Sequence, residues 1–489
     1  MLPYSKLIPV NKKADTAVYL QISNAFIKNI RRGILKSGLK LPSSRVLATL
    51  LHVNRNTINA ALDELQAQGW IDIQPRKGIF VAQNLPVVKP TILSADQIQS
   101  RYASSTNYNI HPLKVSTPLA TMAPPYFKLY IDDGFPDTRL APLDLLAREI
   151  RRQAHLPAMR KYLTYGAPVG TGPLLEALVN VLSETRGLNV QPNNILITNG
   201  AQMGIYLVAR TLLQEGDQVI VTEPNYFSAN LTFQQAGAML NRVPVDENGM
   251  DIDAVEMICK KKKIRLLYAV PHHHHPTTVT LSPERRMRLL ELAAKYKFAI
   301  IEDDYDYEFH YTSNPILPMA SLDNHGNVIY IGTLNKSLAP TIRVGFIVAP
   351  SNFIEIAAQM RRMIDFQGNA LLENALAELY KNGTIMRHIN KVQKIYHERR
   401  DHFCELLSTK LAGRVEFHVP NGGMSVWTHF PTRPLEKIAE HAMQMGLRIP
   451  NYRTYNTGKV DYNSIRMGFA SLSLAEQDKA VDILAACVP

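Results

Sequence analysis

The sequence predicts a multidomain chain: a small basic α+β head built on a helix-turn-helix with a hairpin, then a larger α/β body ending in a small α+β lobe. Three observations predict it. At 489 residues the chain exceeds the roughly 250–300 at which one hydrophobic core stops growing. Residues 1–82 hold twelve Lys and Arg against four Asp and Glu, so eight of the chain's twelve net positive charges sit in its first sixth. Beyond residue 127, short aliphatic runs alternate with helical patterns, as strands buried on both faces of a mostly parallel sheet require.

Composition excludes several classes. With 46% hydrophobic and 20% charged residues the chain reads as an ordinary globular protein. It has no apolar run of about 18 residues and no apolar leader with a small-residue cleavage site, so neither a membrane span nor a secretory signal is expected, and the protein is expected in the cytoplasm. Cys259, Cys404 and Cys487 are odd in number and widely spread. That spacing suits reduced thiols rather than a disulfide framework or a zinc finger. A basic module on a nearly neutral body suggests a polyanionic partner; a solvated basic surface is the plain alternative.

In the head, Val18, Ile22, Ala25, Phe26 and Ile30 recur at helical spacing and Gly33 stops the run. After Leu41-Pro42, Ser43 is placed to cap a short helix through Leu51, buried by Val46, Leu47 and Leu50. His52-Val53-Asn54 leads to a third helix with Asn54 as N-cap, Val53 and Ile58 as a hydrophobic staple, and Ile58, Ala61, Leu62 and Leu65 as its buried stripe. Gly69 ends it, and two strands then flank the turn Gln74–Gly78 as a wing. The third helix exposes Arg55, Asn56, Asn59 and, on its first turn, Thr57, residue types that reach phosphates and base edges from a major groove. Arg76 and Lys77 suit a phosphate or minor-groove contact. Any helix-loop-helix with a polar outer face gives the same pattern.

From 83 to 126 periodicity dissolves into Pro, Ser and Thr, which predicts a linker. The predicted domains are therefore a head over 1–82, that linker, and a body over 127–489 whose small lobe begins near 370. Six aliphatic runs, at 195–197, 219–221, 266–270, 298–301, 328–331 and 344–348, predict the sheet, with helices such as Pro283–Lys297 between them. A long helical pattern from about Asn369 to Leu411 opens the small lobe.

Four groups of residues stand at the ends of these strands. Lys336 follows one strand among hydroxyl and amide groups, where a lysine beside an apolar strand can have a lowered pKa and react with an aldehyde. Glu302-Asp303-Asp304-Tyr305 closes another, offering a carboxylate for a ring-nitrogen cation and a phenol for a phenolate-type oxygen. Thr198-Asn199-Gly200-Ala201-Gln202 opens a helix whose first N–H groups point at whatever anion binds. Glu223-Pro224-Asn225-Tyr226 brings an aromatic ring. Each has a plain structural alternative: a solvated lysine, a loop of solvated acids, a capped turn, core packing. Together they ask for an aldehyde with a ring cation, a phenolic oxygen and a phosphate, and pyridoxal 5′-phosphate (PLP) is that ligand.

The stretch LKLPSSRVLATLLHVNRNTINAALDELQAQGWIDIQPRKGIFVAQ resembles the winged helix-turn-helix of GntR-type bacterial transcription regulators. The resemblance implies double-stranded operator DNA as partner, touched by Arg45, by Asn54, Arg55, Asn56 and Thr57, and by Lys77 and Gly78 on the wing. Asn54 stands where that family often has Ser or Thr. From about 127 to 489 the order Tyr165, Thr198–Gln202, Glu223–Tyr226, Pro276-Thr277, Asp303–Tyr305, Asn335–Ser337, Arg343, Arg466 is similar to that of the fold-type I aminotransferases, PLP-dependent transferases. By that resemblance Lys336 forms the internal aldimine, Asp303 pairs the pyridinium, Tyr305 bonds the phenolic oxygen and Tyr226 stacks on the ring. Gly200, Ala201, Gln202, Thr333 and Arg343 hold the phosphate, and Arg466 grips an effector carboxylate.

Such a head on such a body resembles the MocR/PdxR subgroup of regulators. This implies a head-to-tail homodimer that binds PLP and senses PLP or a small amino compound. Two departures stand out. His272-His273-His274-His275 replaces the subgroup's usual Ser-His-Gln-Phe; no carboxylate adjoins the run in sequence, so these imidazoles are expected to line the cofactor pocket and no metal is expected. Ser228 stands where the GABA-sensing type has an arginine, which favours PdxR-like control of vitamin B6 metabolism over GABA sensing. A working aminotransferase with an accessory head is the rival expectation; a body that has lost its cofactor is a third.

Overall fold

The computed structural model describes residues 2–12, 14, 16–85, 105–110, 129–311, 316–456 and 460–488. It separates into two compact units, residues 1–110 and 111–489. The segment expected as a linker lies largely outside the described residues.

The first unit packs the helices Val18–Arg31, Ser44–Leu51 and Arg55–Ala67 around Phe26, Leu47, Ile58, Leu62 and Trp70. Ser43 and Asn54 cap the second and third helices, accepting from the backbone N–H groups of Val46 and Asn56. The hairpin strands Ile71–Gln74 and Gly78–Val81 pair antiparallel, and a third short strand, Lys40–Leu41, adds to the outer edge of the second. That strand is not marked in the sequence, because its two residues precede a proline and show no alternation. Val46 differs from expectation: it is 40% exposed, and Leu47 and Leu51 carry the burial of their helix.

The second unit is built on an eight-stranded sheet. Across it run Ile195–Thr198, Gly345–Val348, Val328–Thr333, Ala299–Asp304, Ile264–Ala269, Gln218–Glu223, Met239–Asp246 and Gly249–Met250. Pairing is parallel from Val328–Thr333 through Met239–Asp246; Gly345–Val348 runs antiparallel to both neighbours. All six expected strands are present. Alternate side chains feed opposite faces: Leu196, Ile301, Ile331 and Ile347 pack under the helices Ala201–Leu212 and Ser351–Asp365. Ile195, Ile197, Tyr330 and Phe346 face Gly172–Arg186 on the other side.

The long helix expected after Asn369 is two helices, Ala370–Lys381 and Thr384–Lys410, broken at Gly383, which takes a left-handed φ of 72°. The first packs Ala375, Leu376 and Leu379 into the large-lobe core. The second covers the small lobe, where Ser425–His429 pairs with Glu416–Phe417 and Ser464–Gly468 over Phe403, Met424, Phe430 and Ile438. Leu129–Tyr130, far earlier in the chain, pairs with Leu447–Arg448 of this lobe. The three cysteines are free and buried.

Candidate functional sites

A cavity of about 260 Å³ opens at the carboxyl ends of the parallel strands. Lys336 enters it from the turn after Val328–Thr333. Its ammonium donates to the Gly134 carbonyl at 2.6 Å and stands 4.6 Å from the centre of the Phe135 ring. Burial, and after it the Arg466 charge, lowers its pKa, against the pull of Asp133, Asp306 and Asp132.

Asp303 stands next to last on the strand Ala299–Asp304. From the adjoining strand the Tyr268 hydroxyl donates to its Oδ2 at 2.6 Å, whereas Oδ1 is buried without a partner. Burial pushes this carboxyl up to about pH 7; the Tyr268 bond opposes the rise and Asp304 and Asp306 add to it. A buried acceptor left open beside a cavity is complementary to a ring N–H.

Opposite lies an anion cradle. Gly200, at φ 80°, precedes the helix Ala201–Leu212, whose first turn has no side-chain cap. Arg343 donates to the Asn199 carbonyl at 2.6 Å. A Cβ on Gly200 would stand 2.8 Å from Asn335 Nδ2 and 2.9 Å from Arg343 Nη2, so only glycine leaves this corner open. Free helix N–H groups and a guanidinium fit a phosphate. Thr333 and Gln202 line the cavity as well. The Thr333 hydroxyl is engaged by the Val344 carbonyl and the Asn335 N–H, and the Gln202 amide donates to Thr232 Oγ1 at 2.9 Å. Tyr226 lines the cavity, its ring edge-on to His275 at 5.1 Å.

Arg466 comes from the small lobe on the strand Ser464–Gly468 and is fully buried at the cavity wall. Its Nη2 donates to the Tyr305 hydroxyl at 2.9 Å, and that hydroxyl donates in turn to the His273 carbonyl at 2.9 Å. Its Nε donates to the Asp133 carbonyl at 3.3 Å and lies 3.6 Å from Asp133 Oδ1, while Nη1 approaches the Pro276 carbonyl at 3.5 Å. Both groups expected to meet a ligand, Arg466 and Tyr305, are thus already tied to each other.

The histidine run corrects an expectation. Only His275 lines the cavity. His273 bonds Asp306 at 2.8 Å, His272 stands 3.1 Å from Asp304 Oδ1, and His274 lies between Thr222 and Thr277 at 2.8 and 2.7 Å. Carboxylates distant in sequence therefore do meet the run, because the loop packs over the end of the Asp303 strand. Burial pushes His274 down to about 3 and holds His275 well below its usual range, with Arg466 adding to both. Tyr165 lies apart from the cavity, 84% exposed, with its ring against Phe366.

Asp133, Phe135 and Tyr268 line the cavity without having been singled out as site residues. Tyr268 was legible as the one polar-tipped residue in the run Leu266–Val270. Asp133 follows a two-residue strand and carried no signal beyond a pair of adjacent acids.

In the first unit, Arg45, Asn54, Arg55 and Asn56 are exposed, Thr57 is half-buried, and Lys77 is exposed on the wing beside Gly78. Asn54 uses its side-chain oxygen as the helix cap at 2.9 Å. Arg55 Nε donates to Ser44 Oγ at 3.4 Å, tying the two helices of the motif. Lys40, not singled out in the sequence, lies over the Phe80 ring at 5.7 Å and against Gly78.

Comparison with known proteins agrees with both halves. Residues 18–81 match the family described as bacterial regulatory proteins of the gntR family, and residues 136–484 match aminotransferase class I and II. The chain is 30% identical over 465 residues, 95% of its length and 94% of the relative's, to the uncharacterized HTH-type transcriptional regulator YdfD of Bacillus subtilis. It is 27% identical, over 95% of its own length and 94% of the relative's, to the HTH-type pyridoxine biosynthesis transcriptional regulator PdxR of Corynebacterium glutamicum. The body resembles the solved Pyrococcus horikoshii kynurenine aminotransferase in complex with PMP, with a TM-score of 0.68, 30% identity, and coverage of 73% of this chain and 90% of that one. A gntR-type DNA-binding head followed by an aminotransferase fold, matched from end to end by regulators of the same plan, places the chain in the family of HTH-type transcriptional regulators with a class I and II aminotransferase body, of MocR and PdxR type.

Proposed function

We propose that the protein is a PLP-dependent transcription regulator whose body senses PLP itself or a small amino compound and whose head binds operator DNA in the cytoplasm. The observation that carries this reading is the unpartnered, buried Oδ1 of Asp303, on a residue that lines the same cavity as Lys336, Ala201 and Arg343. PLP bound there supplies an aldehyde for an amine and a ring that withdraws electrons. The residues' parts follow. Asp303 accepts from the ring nitrogen, and Tyr268 holds that carboxylate in place. The helix start at Ala201 and Gln202, with Gly200 and Arg343, holds the phosphate; Thr333 and Asn335 shape the turn beside it. Tyr226 covers the ring, Tyr305 faces the phenolic oxygen, and Lys336 offers the amine and moves its proton within the buried pocket. Arg466 orients Tyr305 and faces the effector.

In the head, Arg45, Asn54, Arg55, Asn56 and Thr57 contact the operator, and Lys77 with Gly78 contacts a phosphate. PdxR-like control of vitamin B6 metabolism is favoured over GABA sensing. Ser228 offers no cation, and Arg343 and Arg466 are the two guanidiniums lining the cavity among the described residues. The body pairs with a second copy head-to-tail; exposed Tyr165 and Phe366, with Leu163 and Met363 nearby in sequence, support an interface there.

The second reading, a working aminotransferase, draws on the same cavity, since the amine, the ring partner and the phosphate cradle are all present. The two separate on one comparison: binding of the PLP-loaded and cofactor-free protein to DNA upstream of its own gene, beside turnover of amino acids with a keto-acid acceptor.

A further inference from the structure

Asp133 changes what the cavity can receive. The side chain lies at the cavity wall, 32% exposed. Its Oδ1 accepts from the Tyr455 hydroxyl at 2.6 Å and stands 3.6 Å from Arg466 Nε. Its Oδ2 faces His275 Nε2 at 3.7 Å, beyond hydrogen-bond reach, and burial keeps that imidazole neutral. One carboxylate oxygen is therefore unpartnered at the cavity wall. The Arg466 guanidinium meanwhile meets Tyr305, Asp133 and the Pro276 carbonyl, and its charge is balanced by Asp133.

A ligand carboxylate that approaches Arg466 meets this aspartate beside it and gains little, because like charges at close range repel and the fork it needs is engaged. A cationic group meets an open acceptor. We propose that Asp133 is the specificity-determining residue of the effector site, and that the PLP-loaded cavity selects an amine whose second end is also cationic, a diamine, over an amino carboxylate of equal length. This rests on the reading that the cavity holds PLP and an amino compound. It assigns to Asp133 a discrimination that the sequence placed on Arg466 alone.

The test is a titration of the full-length, PLP-loaded protein with 1,4-diaminobutane, 4-aminobutanoate and 1-aminobutane, read by the visible absorption of the cofactor. The diamine is expected to half-saturate at a concentration about tenfold below either competitor. In Asp133→Asn the advantage over 1-aminobutane should shrink to about threefold or less, and 4-aminobutanoate should gain as Arg466 loses its counter-charge. Equal or tighter response of the wild type to 4-aminobutanoate, or no spectral response to any of the three, overturns the proposal, and neither outcome depends on the variant folding. Operator binding is measured in parallel. Spectral selectivity for the diamine without any change in DNA binding would count against the regulatory reading and leave this assignment standing.

Discussion

The Tyr268 hydroxyl donates to Asp303 Oδ2 at 2.6 Å across two neighbouring parallel strands, and the other oxygen of that carboxylate is buried with no partner. One bond positions the group and leaves its second acceptor for a ligand. Tyr268→Phe should leave the fold intact and weaken PLP retention by about 1.5–3 kcal/mol, the range for a hydrogen bond to a charged group. It should also raise the Asp303 pKa further, since the lost bond favours the ionised form. PLP affinity should then fall at a higher pH on acidification than in the wild type, a shift read from equilibrium dialysis across pH 6–9.

The same carboxylate costs the cofactor-free protein stability. Its pKa rises from 3.8 in the ordinary state to about 7 in the folded protein. The folded state is therefore penalised progressively as pH climbs from about 4 to about 7, and fully above that. Asp303→Asn should make the cofactor-free protein more stable at pH 8, by on the order of a few kcal/mol, while abolishing PLP retention. Urea unfolding of both proteins at pH 5 and pH 8 checks the sign: the difference should be larger at pH 8.

Gly200→Ala places a Cβ 2.8 Å from Asn335 Nδ2 in a backbone of φ 80°. Strain of order 1–3 kcal/mol and displacement of Arg343 should lower phosphate-dependent affinity about tenfold or more. Pyridoxal, which lacks the phosphate, should lose far less. Equal loss for both ligands would remove the phosphate from this corner.

The wild type should carry a borohydride-reducible, covalently attached cofactor that Lys336→Ala lacks, because Lys336 is the one lysine that lines the cavity among the described residues. Mass spectrometry after reduction reads this directly.

Much of this was legible in the sequence for physical reasons. The six strands announce themselves because both their faces are buried, so they read as unbroken aliphatic runs. Met239–Asp246 was missed because, near the sheet margin, it alternates buried Val243 with exposed Arg242 and Pro244, and a broken run does not stand out. Asn382-Gly383 hid a helix break within a continuous helical pattern. Motif order brought Lys336, Asp303, Ala201, Arg343 and Arg466 to one cavity. What it did not carry is which of their polar atoms remain free: the Thr333 hydroxyl and Gln202 Nε2 have protein partners while Gln202 Oε1 is buried without one, and three of four adjacent histidines pair with groups distant in sequence. Asp133 was invisible for the same reason, since its importance lies in facing Arg466, 333 residues away.

In the head, Arg45→Ala and Arg55→Ala should weaken operator binding by about 1–3 kcal/mol each where the arginine reads a base, and relax specificity there. Lys77→Ala should weaken all sequences alike and reduce the salt slope by about one. Lys40→Ala, beside the wing glycine, should behave as Lys77→Ala does. Fluorescence anisotropy at several salt concentrations distinguishes the two kinds of contact.

The central claim is that the state of the cavity is read out at the DNA, and the affinity of the full-length protein for the region upstream of its own gene, measured in PLP-loaded and cofactor-free forms, tests it most directly. A difference of about tenfold or more between the two forms, abolished in Lys336→Ala, is the expected result. Identical DNA affinity in both forms, together with amino-acid turnover in the ordinary enzymatic range of about 1–10³ per second, would contradict it and identify the protein as an aminotransferase with an accessory head.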